Sequence, residues 1–74
     1  MSNYNKLDKS EQFIFDWQYR MLGGFKTSLI DTIARADKHN LSLLRLGFPD
    51  EVDGYLNFTR VDDWWQDVKI KAGR

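Results

Sequence analysis

The amino-acid sequence predicts a small all-α domain, and three observations support this prediction. Apolar residues between Ile14 and Ala36 recur at steps of three and four residues, which is the spacing of one helix face. No segment alternates apolar and polar residues for long, so strands are not expected. The 74-residue chain contains no cysteine but 15% aromatic residues, so aromatic rings rather than disulfides must close its core.

The first helix is predicted to be long. Residues 1–9 are polar and show no period, so we expect a flexible lead-in, followed by Ser10 as the N-cap. The apolar stripe of the helix comprises Ile14, Trp17, Met21, Phe25, Leu29, Ile33 and Ala36. The Gly23-Gly24 pair interrupts this stripe, and each glycine costs a helix interior about 1 kcal/mol. Because the stripe keeps its phase across the pair, we predict one helix from Ser10 to Lys38, kinked or weakened at the glycines.

Two or three shorter helices are predicted to fold against the long one. Leu41–Leu46 forms a short apolar helix that the following glycine ends. Pro49 opens the next helix, because the residue before a proline is driven out of the helical region. A last helix is predicted around Val61–Val68, where apolar residues return at helical spacing. The single domain then spans residues 10–69, and residues 70–74 form a polar, basic tail.

The charge pattern argues against a nucleic-acid or membrane partner. Eleven basic residues balance eleven acidic ones, which is not the electrostatic footprint of a phosphate-backbone binder. A helix-turn-helix arrangement would place Pro49, Asp50 and Glu51 toward DNA, where two acids repel phosphates. No apolar run approaches the roughly 18 residues that a membrane span needs, and the first residues lack a secretory h-region. The sequence therefore predicts a protein of the cytoplasm.

No residue pattern indicates catalysis, cofactor binding or a metal site. His39 is the only histidine, and nothing in the pattern gives it a nucleophile to activate. The acidic clusters at Asp50–Asp53 and Asp62–Asp67 lack the glycine and glutamate placement of an EF-hand loop. The Gly23-Gly24 pair follows no predicted strand and precedes no Gly-Lys-Ser/Thr, so it is not a phosphate loop. The sequence predicts a protein that is not an enzyme and has no cofactor.

Large aromatic and aliphatic side chains cover nearly the whole circumference of the first helix. They are Phe13, Ile14, Phe15, Trp17, Tyr19, Met21 and Leu22. One interpretation is an efficient monomer core with a few half-exposed rings, and the other is a protein interface, where such residues are enriched. The candidate interface consists of Phe15, Tyr19, Leu22, Gly23 and Trp65, which would suit a homodimer or another protein. Of the adjacent Trp64 and Trp65, we expect one to close the core and the other to be partly exposed.

A series of short motifs resembles a known group of proteins. The motifs are Phe25-Lys26-Thr27 with Leu29, Ala36-Asp37 with Asn40-Leu41, Gly47-Phe48-Pro49 with Glu51-Val52 and Tyr55, and the terminal Trp64-Trp65. Over residues 10 to 68 the chain is similar to small uncharacterised helical proteins encoded by bacteriophages and prophages of Gram-positive bacteria. The resemblance implies an origin among early-region accessory products, and it transfers no catalytic or binding residue.

These observations together predict a non-catalytic accessory protein of phage type. It would act by protein–protein interaction, modulating or occluding a host or phage protein in the cytoplasm of the bacterial host. Two alternatives remain open at this stage. One is a regulatory protein associated with nucleic acid, in which the basic tail contributes, and the other is a homo-oligomeric structural component of the phage.

Overall fold

A computed structural model describes residues 3–74 and confirms the all-α fold class, with no strand among these residues. A single 3₁₀ turn at Tyr4–Lys6 precedes five helices of similar length. The helices are α1 (Lys9–Gln18), α2 (Gly24–Arg35), α3 (Lys38–Gly47), α4 (Pro49–Arg60) and α5 (Trp64–Lys71). Pro49 opens α4 as the sequence predicted. The helix α1, in contrast, begins at an Asp8 cap rather than at Ser10, and α3 is capped by Asp37.

The predicted long helix from Ser10 to Lys38 is wrong, because α1 ends at Gln18 in a Schellman motif. Arg20 adopts the left-handed conformation with φ 57°. Its N–H donates to the carbonyl of Trp17 at 3.1 Å, and the N–H of Met21 donates to that of Asp16 at 2.7 Å. These bonds satisfy carbonyls that a helix end leaves without partners. Within the predicted stripe, Ile14, Leu29 and Ile33 are buried, whereas Met21 and Phe25 on either side of the glycine pair are exposed.

The glycine pair lies beyond this break. Gly23 is the N-cap of α2 with extended backbone, and Gly24 is the first residue of α2. A Cβ atom built on either residue would meet no atom within 4 Å. The pair therefore marks the start of α2 rather than a kink within one helix, and no other part of the described chain packs closely on it.

The helices α1 and α4 approach each other closely at Gly54. A Cβ atom at Gly54 would lie 2.8 Å from the carbonyl oxygen of Ser10 and 3.1 Å from Cγ1 of Ile14. Only glycine allows α4 to approach the backbone of α1 this closely. Beside this crossing, the consecutive residues Phe13, Ile14 and Phe15 are all buried, so α1 is the central helix.

The two ends of the chain complete the core around α1. Leu7, Val68 and Ala72 are buried against Phe15, and the N–H of Asn3 donates to the carbonyl of Ala72 at 3.1 Å. From residue 3 onward, the segment predicted as a flexible lead-in contains a 3₁₀ turn and the buried Leu7, and residues 1 and 2 lie outside the described part. The segment 70–74, predicted as a polar, basic tail, includes Ala72, which packs into the core.

Candidate interaction surface

Three of the five residues predicted for an interface form one aromatic cluster beside α1. The ring of Phe15 lies 4.6 Å from that of Tyr19 and 6.4 Å from that of Trp65, measured between centroids. Phe15 is only 1% exposed, so it belongs to the core of the monomer. Trp64 and Trp65 are both half-buried against the same two core clusters, which contradicts the expected division of roles between them.

The C-terminal residues cover this cluster from the solvent side. The guanidinium carbon of Arg74 lies 4.7 Å from the ring centroid of Tyr19, and Nζ of Lys69 lies 6.0 Å from that of Trp65. A cation over a ring face within about 6 Å is attracted by the ring quadrupole. Of the remaining predicted residues, Leu22 packs against a different cluster around Ile14, and Gly23 is exposed. The structure thus does not assemble the five residues into one open surface.

Among residues 3–74 the most exposed large apolar side chain, Leu46, lies elsewhere, on α3. This helix carries four leucines but contributes no fully buried residue. Leu41 and Leu44 pack against the core cluster of α2 and α4, whereas Leu43 is 53% exposed and Leu46 is 83% exposed. Residues three apart on a helix are neighbours, so these two exposed leucines form one apolar edge.

The apolar edge of α3 borders a groove that separates it from the C-terminal half of α2. The groove has a volume of about 490 Å³ and is lined by Thr32, Arg35, Ala36, Asn40, Leu43, Leu44, Gly47 and Phe48. Its end is extended by Phe25, which is 68% exposed and whose ring lies 6.0 Å from that of Phe48. The groove stays open because α2 and α3 both pack mainly on α4. We call the groove together with Phe25 and Leu46 the α2–α3 surface.

The electrostatics of this surface depend on one residue, since Arg35 is the only charged side chain that lines the groove. Among residues 3–74 the ion pairs join Arg45 to Asp53 at 2.9 Å and Lys71 to Glu11 at 2.8 Å, so Arg35 forms none. The groove is therefore apolar with a single unpaired positive charge on its wall.

The perturbed ionisable groups pair with side chains of α1 and serve the fold. Burial, together with the hydrogen bond that the Tyr4 hydroxyl donates to Asp16 at 2.8 Å, raises the pKa of Tyr4 to about 12. The hydrogen bonds that the ammonium of Lys71 donates to Glu11 raise the pKa of that lysine. Glu11 is buried and also accepts from the N–H of Asp8, which closes a capping box on α1.

The sequence contained a signal for the α2–α3 surface that the periodicity analysis did not use. At 100° per residue, Leu41 and Leu44 fall on one side of α3, and Leu43 and Leu46 fall on the other. A ten-residue helix at the edge of a small domain packs on one side only, so one leucine pair had to remain exposed.

Comparisons with known proteins add no relative from which a role could be transferred. No family model matches the chain, and no match was found among curated proteins or solved structures. Within residues 3–74, no helix combines the length and the apolar character needed to cross a bilayer.

Proposed function

We propose that this protein is a non-catalytic accessory protein that acts by binding another protein through the α2–α3 surface. The observation that supports this proposal most directly is the exposure of Leu43, Leu46 and Phe25 beside an open apolar groove. Contiguous exposed apolar patches on small proteins commonly mark interaction sites, whereas single exposed residues need no explanation. The partner is a host or phage protein of the bacterial cytoplasm, and binding modulates or occludes it.

Burial of the exposed apolar side chains by a partner would stabilise the complex. Fully burying a leucine or phenylalanine side chain contributes about 1.5–3 kcal/mol. The exposed surfaces of Leu46 and Phe25 contribute little to the monomer, because most of each side chain remains in water. A partner that covered both would gain this burial without displacing any contact of the core.

The basic residues near the C-terminus favour a protein partner over nucleic acid. Lys71 is paired with Glu11, and Arg74 and Lys69 lie over the rings of Tyr19 and Trp65. Phosphate binding would have to compete with these contacts for the same cations. These contacts weigh against the nucleic-acid alternative, in which the basic tail contributes.

Affinity capture with matched variants tests the proposal. Leu46→Glu places a charge on the α2–α3 surface, and Ile70→Glu places the same charge at the penultimate position of α5, which is also exposed. We expect a bacterial protein that is retained by the wild type and by Ile70→Glu but lost by Leu46→Glu. Equal retention by all three proteins, or loss in both variants, would contradict the assignment of this surface. Duplex DNA in a mobility-shift salt series tests the nucleic-acid alternative, for which we expect no binding.

A further inference from the structure

We infer that the α2–α3 surface receives an amphipathic α-helix of a different protein, and that this helix carries an acidic side chain beside its apolar stripe. This inference rests on the proposed function, which states only that the surface contacts a protein. It adds the conformation and the charge of the segment that binds.

The shape of the surface fits a helix. Both walls of the groove are helical, and its lining on α3 runs from Asn40 to Gly47, which corresponds to about 10 Å, or two turns. A helix laid into such a groove presents anchors at positions i, i+4 and i+7. Ala36 and Gly47 keep the groove free of large side chains at two points of its lining, while Leu43 and Phe48 offer apolar contact between them.

The positive charge of Arg35 determines which polar side chain the partner helix must carry beside its apolar anchors. Arg35 lines the groove without an ion-pair partner in the described chain. An apolar partner helix lying over the groove would remove water from this guanidinium, and burying a charge without a partner is unfavourable. A carboxylate at the edge of the incoming helix would pair with Arg35, with bidentate geometry open to it.

A second copy of this chain does not supply that carboxylate from the helix that is best exposed. The helix α3 presents apolar side chains to solvent, but it contains no acidic residue and carries Lys38, His39 and Arg45 instead. Placing α3 of one molecule in the groove of another would add positive charge beside Arg35. Charge complementarity therefore favours a foreign acidic helix over self-association through α3.

A selection experiment with a displayed peptide library tests the inference. The library consists of 15-residue helices with leucine at i, i+4 and i+7 and with Glu, Gln or Lys varied at the flanking positions. It is selected in parallel on the wild type, Arg35→Glu, Leu43→Glu and Ile70→Glu, each shown by circular dichroism to be folded. On the wild type and on Ile70→Glu we expect Glu to be enriched over Gln by about threefold to fivefold at one flank.

The charge-reversed and groove-blocked variants make the outcome decisive. On Arg35→Glu the preference at that flank should change to Lys, and on Leu43→Glu no helix should be enriched. Enrichment without a charge preference, a preference that Arg35→Glu leaves unchanged, or no enrichment on the wild type would overturn the inference. Concentration-dependent dimerisation that Leu46→Glu abolishes would also overturn it, in favour of a second copy. If a lysate protein still requires Leu46 while the library shows no acidic preference, the proposed function stands and only this inference fails.

Discussion

The helices α1 and α3 are both ten residues long, yet they bury their apolar side chains to opposite extents. Three consecutive apolar residues of α1 are buried, whereas none of the four leucines of α3 is fully buried. The difference comes from cover: α4, α5 and both chain ends surround α1, while α3 packs mainly on α4. Burial is therefore extensive in α1, whereas α3 keeps two of its four leucines exposed.

The largest change in the free energy of unfolding is predicted for a substitution in α1, and the matched substitution in α3 should have little effect. Ile14 of α1 is fully buried, so Ile14→Ala should cost about 2–5 kcal/mol of unfolding free energy through lost transfer energy and a cavity. Leu46→Ala on α3 should change it by less than about 0.5 kcal/mol, because the side chain is already in water. Urea titrations of both variants measure the difference. A Leu46→Ala loss as large as that of Ile14→Ala would show that α3 is part of the core.

A second comparison uses two glycines. Gly54→Ala should destabilise by about 1–3 kcal/mol, because the added Cβ meets the backbone carbonyl of Ser10. Gly24→Ala in the first turn of α2 should stabilise by about 0.5–1 kcal/mol, since it meets no atom and lowers the entropy of the unfolded chain. Thermal melts of the two variants should shift in opposite directions. A loss of stability in Gly24→Ala would indicate a contact at α2 that the monomer does not show.

The ion pair of α1 and the ion pair of α3 should contribute differently to the free energy of unfolding. Glu11→Gln in α1 should cost about 1–2 kcal/mol, because the buried amide keeps the hydrogen bond from the N–H of Asp8 but loses the charge-assisted hydrogen bonds from Lys71. Arg45→Gln on α3 should cost no more than about 0.5 kcal/mol, because its pair with Asp53 is exposed. Denaturant midpoints at low and high salt provide the measurement. Equal losses in the two variants would contradict the difference in burial.

The last prediction concerns the dependence of the free energy of unfolding on pH, to which Tyr4 and Lys71 contribute through their contacts with α1. The pKa of Tyr4 is raised from its ordinary 10.0 to about 12, so its stabilising contribution is complete below pH 10 and is lost as the pH rises toward 12. The raised pKa of Lys71 acts in the same direction above pH 10.5. Melts between pH 8 and 11.5 should show that the advantage of the wild type over Tyr4→Phe narrows with rising pH. A constant or widening advantage would contradict the assigned hydrogen bond to Asp16.

The sequence predicted the all-α class and the start of α4, because helical spacing and the rule for residues before proline are local signals. It did not predict the end of α1, since Arg20 rather than a glycine occupies the left-handed position. Nor did it predict that residues 3–9 and 70–74 pack on α1, because one or two apolar residues in a polar segment show no period. Because these two segments were not expected to pack on α1, its apolar circumference indicated an external partner, and the predicted interface was placed around Phe15.

The α2–α3 surface was missed for a related reason. Periodicity identifies which residues share a face, but it does not show how many faces the rest of the chain can cover. In α1 most residues are buried or half-buried, whereas in α3 only Leu41 and Leu44 are half-buried, and this depends on where each helix lies in the fold. The spacing of the leucines in α3 thus shows which of them share a face, but it does not show which face remains exposed to solvent.

We propose that the α2–α3 surface is open to solvent in the free protein and is covered by the partner protein in the complex. Because the chain has no cysteine, the thiol-labelling rates of Leu46→Cys and Ile70→Cys test it directly, with and without the captured partner. We predict rapid labelling of both thiols in the free protein, and slow labelling of Leu46→Cys alone in the complex. Slow labelling of Leu46→Cys in the free protein, or unchanged labelling of it in the complex, would contradict the account.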